Sequence, residues 1–221
     1  MISDTLDAVW GALPYVLRGL PYTLGISIAG LGGGFVLGVL LGLAGLGAWL
    51  WRIPALLYVE FFRGTPLLVQ ALFLFYGLPQ FIGRPIGPLT ASVVVIAMNA
   101  AAYIAEIVRG AMASISPGQR EAGLSLGLTL GQVYLWVIWP QALRRMLPGL
   151  GNQAITSIKD TSILSVIGVG ELVRQGQVYI ATTFQAFEVY GLIALLYLAI
   201  TLGFSALLRH TELRLQRRGG L

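Results

Sequence analysis

Cysteine is absent from this 221-residue chain, and a single histidine, His210, is present. Without cysteine there is no disulfide framework and no thiolate metal or redox centre, and one histidine cannot build a zinc site alone. Charge is scarce as well. Only 10% of the residues are Asp, Glu, Lys or Arg, against about 25% in a soluble domain. What fills the chain instead is apolar: 57% of it is hydrophobic and the mean hydropathy is +0.81. That composition excludes a soluble enzyme, a nucleic-acid binder and a disordered linker, and it describes an integral membrane protein. At about 20 apolar residues per span, the length allows about five transmembrane helices with their connections.

The first twenty residues lack the features of a cleaved signal, since Asp4 and Asp7 stand where positive charge belongs. Trp10, Leu13, Val16, Leu17 and Leu20 recur at helical spacing, which predicts an amphipathic N-terminal segment over 1–20 lying on the membrane surface. Tyr22 to Leu50 is uncharged and forms a first span; its glycines (Gly30, Gly32, Gly33, Gly34, Gly38, Gly42) suit close helix contact. A second span covers Pro54–Leu78, interrupted by Glu60, Arg63 and a Gly64-Thr65-Pro66 kink, and a Gly- and Pro-rich turn follows over Pro79–Pro88. The third span is Leu89–Val108, the fourth Leu147–Val169 and the fifth Ala186–Leu208. The permease domain so defined covers 21–210, and a basic tail covers 211–221.

With five spans, Arg52, Arg109, Arg120, Arg144, Arg145, Arg209, Arg214, Arg217 and Arg218 fall on one side and only Arg18, Arg84 and Arg174 on the other. The positive-inside rule then puts the C-terminus in the cytoplasm and the N-terminus outside. The net charge of +5 is thereby explained as topology, with no nucleic acid required.

The loop between spans 3 and 4, about 110–146, is the longest polar stretch. Ser116-Pro117-Gly118-Gln119 and Thr129-Leu130-Gly131-Gln132 both have the cap-to-Gln spacing of a helix start, so two short helices separated by Gly127 are expected. Helices this short need something to pack on. Glu121-Ala122-Gly123, then Gly127, then Ile138-Trp139-Pro140 resembles the EAA loop of ABC-importer permeases, departing at Gly123, where the family has Ala, and at Trp139, often Leu. Glycine there costs up to about 1 kcal/mol of helix propensity. Arg63–Gln70, Ala102–Gly110, Gly118–Ala122 and Lys159–Ser162 resemble the polar amino-acid uptake branch of these permeases, and the similarity covers about 15–210.

The resemblance implies an all-α membrane protein with a cytoplasmic two-helix coupling loop, acting as the permease subunit of an ATP-driven importer of polar amino acids in a bacterial inner membrane. It implies as partners ABC ATPase subunits carrying ATP and Mg, a second permease copy or a homologous permease, and a periplasmic or lipid-anchored amino-acid-binding protein. Ser116, Gly118, Glu121, Ala122, Gly123 and Gly127 would form the knob that meets the ATPase. No GxxxxGK[ST] pattern occurs, so the chain does not bind ATP by that device. It is read as having no metal, no cofactor of its own and no catalytic residue.

Ionisable groups inside a span are functional candidates by default. Asn99, Tyr103 and Glu106 share one helical face, as do Gln153, Ser157 and Asp160. Thr65 sits at a break where Pro66 cannot donate and a carbonyl is expected to be left free for a ligand. For a zwitterion, Glu106 and Asp160 supply acceptors to the ammonium, while Thr65, Asn99 and Ser162 supply donors to the carboxylate; Tyr103 lies between them on the third span. The same groups also suit a structural arrangement in which Arg63 or Lys159 neutralises Glu106 or Asp160. A passive channel, or an intramembrane enzyme using Glu106 and Asp160 as an acid–base pair, is the competing reading. Phe73, Phe75 and Tyr76 read as lipid-facing.

Overall fold

The computed structural model describes residues 2–218, with side chains described over 5–210. The side chains of the basic tail, including Arg214, Arg217 and Arg218, lie outside that range, as does Asp4. Among the described residues every regular element is a helix. In chain order they are α1 (Ile2–Leu17), α2 (Leu20–Ala44), α3 (Trp49–Gly64), α4 (Leu67–Leu72), α5 (Leu78–Ile82), α6 (Pro88–Ala113), α7 (Pro117–Ser125), α8 (Leu130–Gln132), α9 (Trp139–Asp160), α10 (Leu172–Thr183) and α11 (Ala186–Arg218). Wider π turns join α4 to α5 and α8 to α9, and a 3₁₀ stretch, Thr161–Ile167, continues α9.

Three of these helices are long and apolar enough to cross a membrane: α2, α6 and the Ala186–His210 part of α11. The second span of the sequence reading is a bent pair, α3 followed by Leu67–Ile82 at 104°, so the chain folds sharply at Thr65-Pro66 instead of kinking. The fourth, α9 with its 3₁₀ continuation, carries Arg144, Arg145, Lys159 and Asp160 and is not apolar enough to join the three. Apolarity alone therefore gives three to four spans. The Pro79–Pro88 turn is partly helical, because α5 runs to Ile82 before Gly83 turns the chain with φ 68°.

Helix α6 is the centre. It packs along α2 and against α3, α4 and α9, and 61% of its most apolar stretch is buried against 11% for α11, which faces outward. Pro88 and Pro117 open α6 and α7, where a missing N–H has no intrahelical partner to lose. One apolar core runs from Ala100 and Val108 of α6 to Val133, Ala142 and Met146 beneath the α7–α8 loop. A second joins Ile26, Ala71, Val95, Leu164 and Val169, with Phe75 packed against it while Phe73 and Tyr76 stay exposed. A third joins α1 to α10 and α11. There α1 buries Ala8, Ala12 and Val16 and leaves Trp10 68% exposed. The buried face of α1 is thus its small-residue face, which permits close packing.

Two local expectations resolve differently. Thr129 and Gln132 form the reciprocal capping box, with Thr129 N–H donating to Gln132 Oε1 at 2.8 Å. Ser116 makes no side-chain cap: the Gln119 N–H donates to the Ser116 carbonyl at 3.0 Å, and the Gln119 side chain, instead of reaching back to Ser116, accepts a hydrogen bond from Gln141 of α9 at 3.1 Å. A tertiary contact has displaced a local one.

Glu171, to which the sequence reading gave no role, is fully buried. Its carboxylate accepts the first free N–H groups of α10, Val173 at 2.8 Å and Arg174 at 2.7 Å, and the Tyr197 hydroxyl of α11 at 3.1 Å. The Tyr197 oxygen lies 3.2 Å from the Thr161 hydroxyl, and Leu172 N–H donates to Thr23 of α2 at 3.3 Å. The cluster around this acid therefore ties together α2, α10, α11 and the end of α9.

The glycines of α2 divide by position. A Cβ on Gly38 would lie 2.7 Å from Ile104 Cβ and 2.8 Å from the Ala101 carbonyl oxygen, and Gly30, Gly34 and Gly42 meet α6 equally closely. Gly32 has nothing within 4 Å. We expect Gly38→Ala to lower stability by about 1–3 kcal/mol through overpacking against immovable backbone. Gly32→Ala should be neutral. Thermal unfolding in detergent of the two variants side by side checks this, and equal melting would refute the backbone contact.

Candidate functional site

A cavity of about 720 Å³ opens where the α3–α4 break faces α6 and α9. Its walls include four of the six residues expected from sequence to meet a substrate, Thr65, Asn99, Tyr103 and Asp160, together with Arg63, Asn152, Gln153 and Thr156. The spacing argument succeeds here because Asn99 and Tyr103 lie one turn apart on the α6 face turned to the break.

Glu106 and Ser162 do not line this cavity. The Ser162 hydroxyl donates to the Lys159 carbonyl at 2.7 Å, as a residue just past a helix end commonly does. Glu106 is held in a fork: Arg109 donates from Nε and Nη2 to its two oxygens, each at 2.8 Å. Arg63 adds a looser contact at 3.6 Å. Both oxygens of Glu106 are thus occupied by cations of its own chain. Arg63 also lies over the Tyr103 ring, 5.5 Å from its centroid, and its side chain is 41% exposed. It has donors left over for an anion entering the cavity.

Asp160 is the contrasting case. Lys159 beside it is exposed, and among the described residues no ion pair or hydrogen bond to the Asp160 carboxylate forms. The cavity therefore carries a cation at one wall and an unshared carboxylate at another, with amides and hydroxyls between.

The break itself is sealed. The Thr65 hydroxyl donates to the Phe61 carbonyl at 2.8 Å. Gln70 Nε2 donates to the Phe62 carbonyl at 2.9 Å, to the Thr65 carbonyl at 3.0 Å and to Thr65 Oγ1 at 2.9 Å. The expectation of a carbonyl left free for a ligand is therefore corrected: main-chain oxygens released by Pro66 are taken by side chains, as apolar surroundings require. Gln70 stands in the Arg63–Gln70 motif but was given no role; an amide a few residues after a proline break is the signal that would have found it.

The second candidate region is the α7–α8 loop. Glu121, Ala122 and Gly127 are exposed, and Leu126 is 83% exposed, so an apolar and acidic surface is offered outward. Gly118 is exposed near the start of α7, and Gly127 turns the chain with φ 80°. Gly123 is buried instead, and a Cβ there would lie 2.9 Å from Val133 Cγ2. That contact accounts for glycine where the family pattern has alanine. Gln141 holds Gln119 of α7, and Arg145 donates to the carbonyl and hydroxyl of Ser114, so the loop is fastened to α9 at two points.

Residues 34–217 match the family described as the binding-protein-dependent transport system inner membrane component. The glutamine transport system permease protein GlnP of Escherichia coli (strain K12) is 51% identical over 212 residues, covering 95% of this chain and 97% of that protein. The arginine transport system permease protein ArtQ of Bacillus subtilis (strain 168) is 34% identical, covering 86% and 87%. Among solved structures, an amino acid ABC transporter with histidines superposes with a TM-score of 0.90 at 40% identity, over 96% of this chain and 98% of that one. The match spans the cavity walls, the break and the loop alike, and on that ground the chain belongs to the family of binding-protein-dependent transport system inner membrane components.

Proposed function

We propose that this permease passes a polar amino acid across the bacterial inner membrane through the cavity between the α3–α4 break, α6 and α9. The observation that carries the reading is the pairing of a half-engaged cation, Arg63, with an unshared carboxylate, Asp160, on the walls of one cavity. A zwitterion meets both: Arg63 receives the α-carboxylate and Asp160 the ammonium, while Thr65, Asn99, Tyr103 and the α9 amides receive the side chain. Glu106 acts here through Arg63, restraining that guanidinium over Tyr103. Ser162 acts through the helix end that presents Asp160, where its hydroxyl holds the Lys159 carbonyl. The names of the relatives, for glutamine and for arginine, support an amino acid as cargo.

ATP hydrolysis belongs to a separate ATPase subunit, with ATP and Mg bound there, and a binding protein delivers the substrate. Ser116, Gly118, Glu121, Ala122, Gly123 and Gly127 form or shape the surface that meets the ATPase, and the ties from Gln119 to Gln141 and from Ser114 to Arg145 carry its movement into α9. Asp160 stands at the far end of that same helix. A push on the loop thus reaches the substrate carboxylate through one rigid element, as alternating access requires. A second permease, copy or homologue, completes the passage.

Three outcomes are expected. Asp160→Asn, assembled with the ATPase in proteoliposomes, should raise the substrate concentration for half-maximal uptake about ten- to a hundredfold, the worth of one charge-assisted hydrogen bond. An unchanged value would remove Asp160 from the site. Glu121→Arg should abolish substrate-stimulated ATP hydrolysis while the chain still inserts; normal coupling would dismiss the docking role. A reporter fused after Leu221 should behave as cytoplasmic, and an external signal would reverse the orientation.

A further inference from the structure

Gln70 makes four hydrogen bonds, and together they fix more than the bend. Two of its Nε2 partners, the carbonyls of Phe62 and Thr65, can only accept. The nitrogen of the Gln70 amide must therefore face the break, and its oxygen must face away. That oxygen, Oε1, meets Asn99 at 3.1 Å, so the Asn99 atom facing it must be the donor, Nδ2. An amide turned the other way at either position would set two oxygens against each other. The orientation of Asn99 is thus dictated, through Gln70, by main-chain carbonyls on another helix. Asn99 is left with Oδ1 and one N–H, and no described group donates to Oδ1. Asn99 lines the cavity, whose single carboxylate is Asp160.

We propose that Gln70 is a specificity-determining residue: it locks Asn99 as an acceptor–donor pair toward the cavity, so that the site takes an amino acid ending in a carboxamide and disfavours one ending in a carboxylate. The inference rests on the cavity being the substrate site. A carboxamide satisfies both remaining atoms of Asn99, its NH₂ donating to Oδ1 and its oxygen accepting the N–H. A carboxylate satisfies one and opposes the other. A cationic side chain finds no second carboxylate, since Asp160 is engaged by the α-ammonium. Without Gln70 the Asn99 amide turns freely and can present both N–H groups to a carboxylate, and the discrimination fades.

The test is calorimetric titration of L-glutamine and L-glutamate into the purified permease–ATPase complex. The wild type should prefer glutamine by about tenfold or more, the cost of one opposed hydrogen-bonding group. In Gln70→Leu the ratio should fall to near one. Because that change also unseals the break, Asn99→Ser serves as the second variant; it leaves Gln70 on Phe62 and Thr65, and in the complex that still folds it should likewise bring the ratio near one. A folded Asn99→Ser complex that keeps the wild-type ratio overturns the proposal while the cavity stands. If Asp160→Asn binds glutamine as tightly as the wild type, the substrate site itself is misplaced, and the proposal falls with it.

Discussion

A helix that breaks inside a membrane releases main-chain carbonyls where no water can receive them, and each such group costs free energy until something donates to it. Everything distinctive about this molecule is arranged around that constraint at Thr65-Pro66. The 104° bend opens the space that becomes the cavity, and the same bend creates the acceptors that must be quenched before the space can exist. The Thr65 hydroxyl quenches one, and the Gln70 amide two more. The polar side chains nearest the cavity are thus first of all a structural necessity, and their orientation at the site follows from it.

The charges obey a similar division. Three ionisable groups of the central region, Arg63, Glu106 and Arg109, satisfy one another, and the excess of one cation leaves Arg63 with donors to offer. Asp160 is left out of that arrangement, at the point where α9 tightens into a 3₁₀ turn held by Thr161. An unshared carboxylate is tolerable there because Asp160 opens on the cavity, whereas Glu171, enclosed on all sides, needs two N–H groups and a tyrosine.

How much of this could be read from the residues depended on how far apart the partners lie in sequence. The face shared by Asn99 and Tyr103 and the start of α8 at Thr129 were legible, because one helical turn decides them; of the six glycines of α2 read as contacts, Gly30, Gly34, Gly38 and Gly42 meet α6 closely, while Gly32 meets nothing and Gly33 makes only ordinary contact. The Glu106–Arg109 fork was equally local, yet the loop-charge argument claimed Arg109 for topology and hid it. Glu171 was beyond reach for a different reason, since its partner Tyr197 comes from another helix; Gln70 carried a signal in its place after the proline break, but its hold on Asn99 depends on an angle that no periodicity encodes. At Ser116 local reasoning failed, since the Gln119 N–H stays on the Ser116 carbonyl while Gln141, from another helix, takes the Gln119 side chain. The boundaries of the second and fourth spans were blurred by the same cause, polar residues that serve tertiary contacts inside apolar stretches.

The glycine face of α2 has a mechanical consequence. Gly30, Gly34, Gly38 and Gly42 receive Ile96, Ala100, Ile104 and Val108 of α6, so notch and tooth repeat every four residues on both partners. At 1.5 Å of rise per residue, the pair can re-engage only after a slide of about 6 Å, and every smaller displacement drives a side chain into the opposing backbone. Two rods cut with the same pitch behave as a rack without half-steps. They hold their relative height against any load along the helix axes, and a shape change would have to be taken up at joints that lack such teeth, such as the bend beside Pro66.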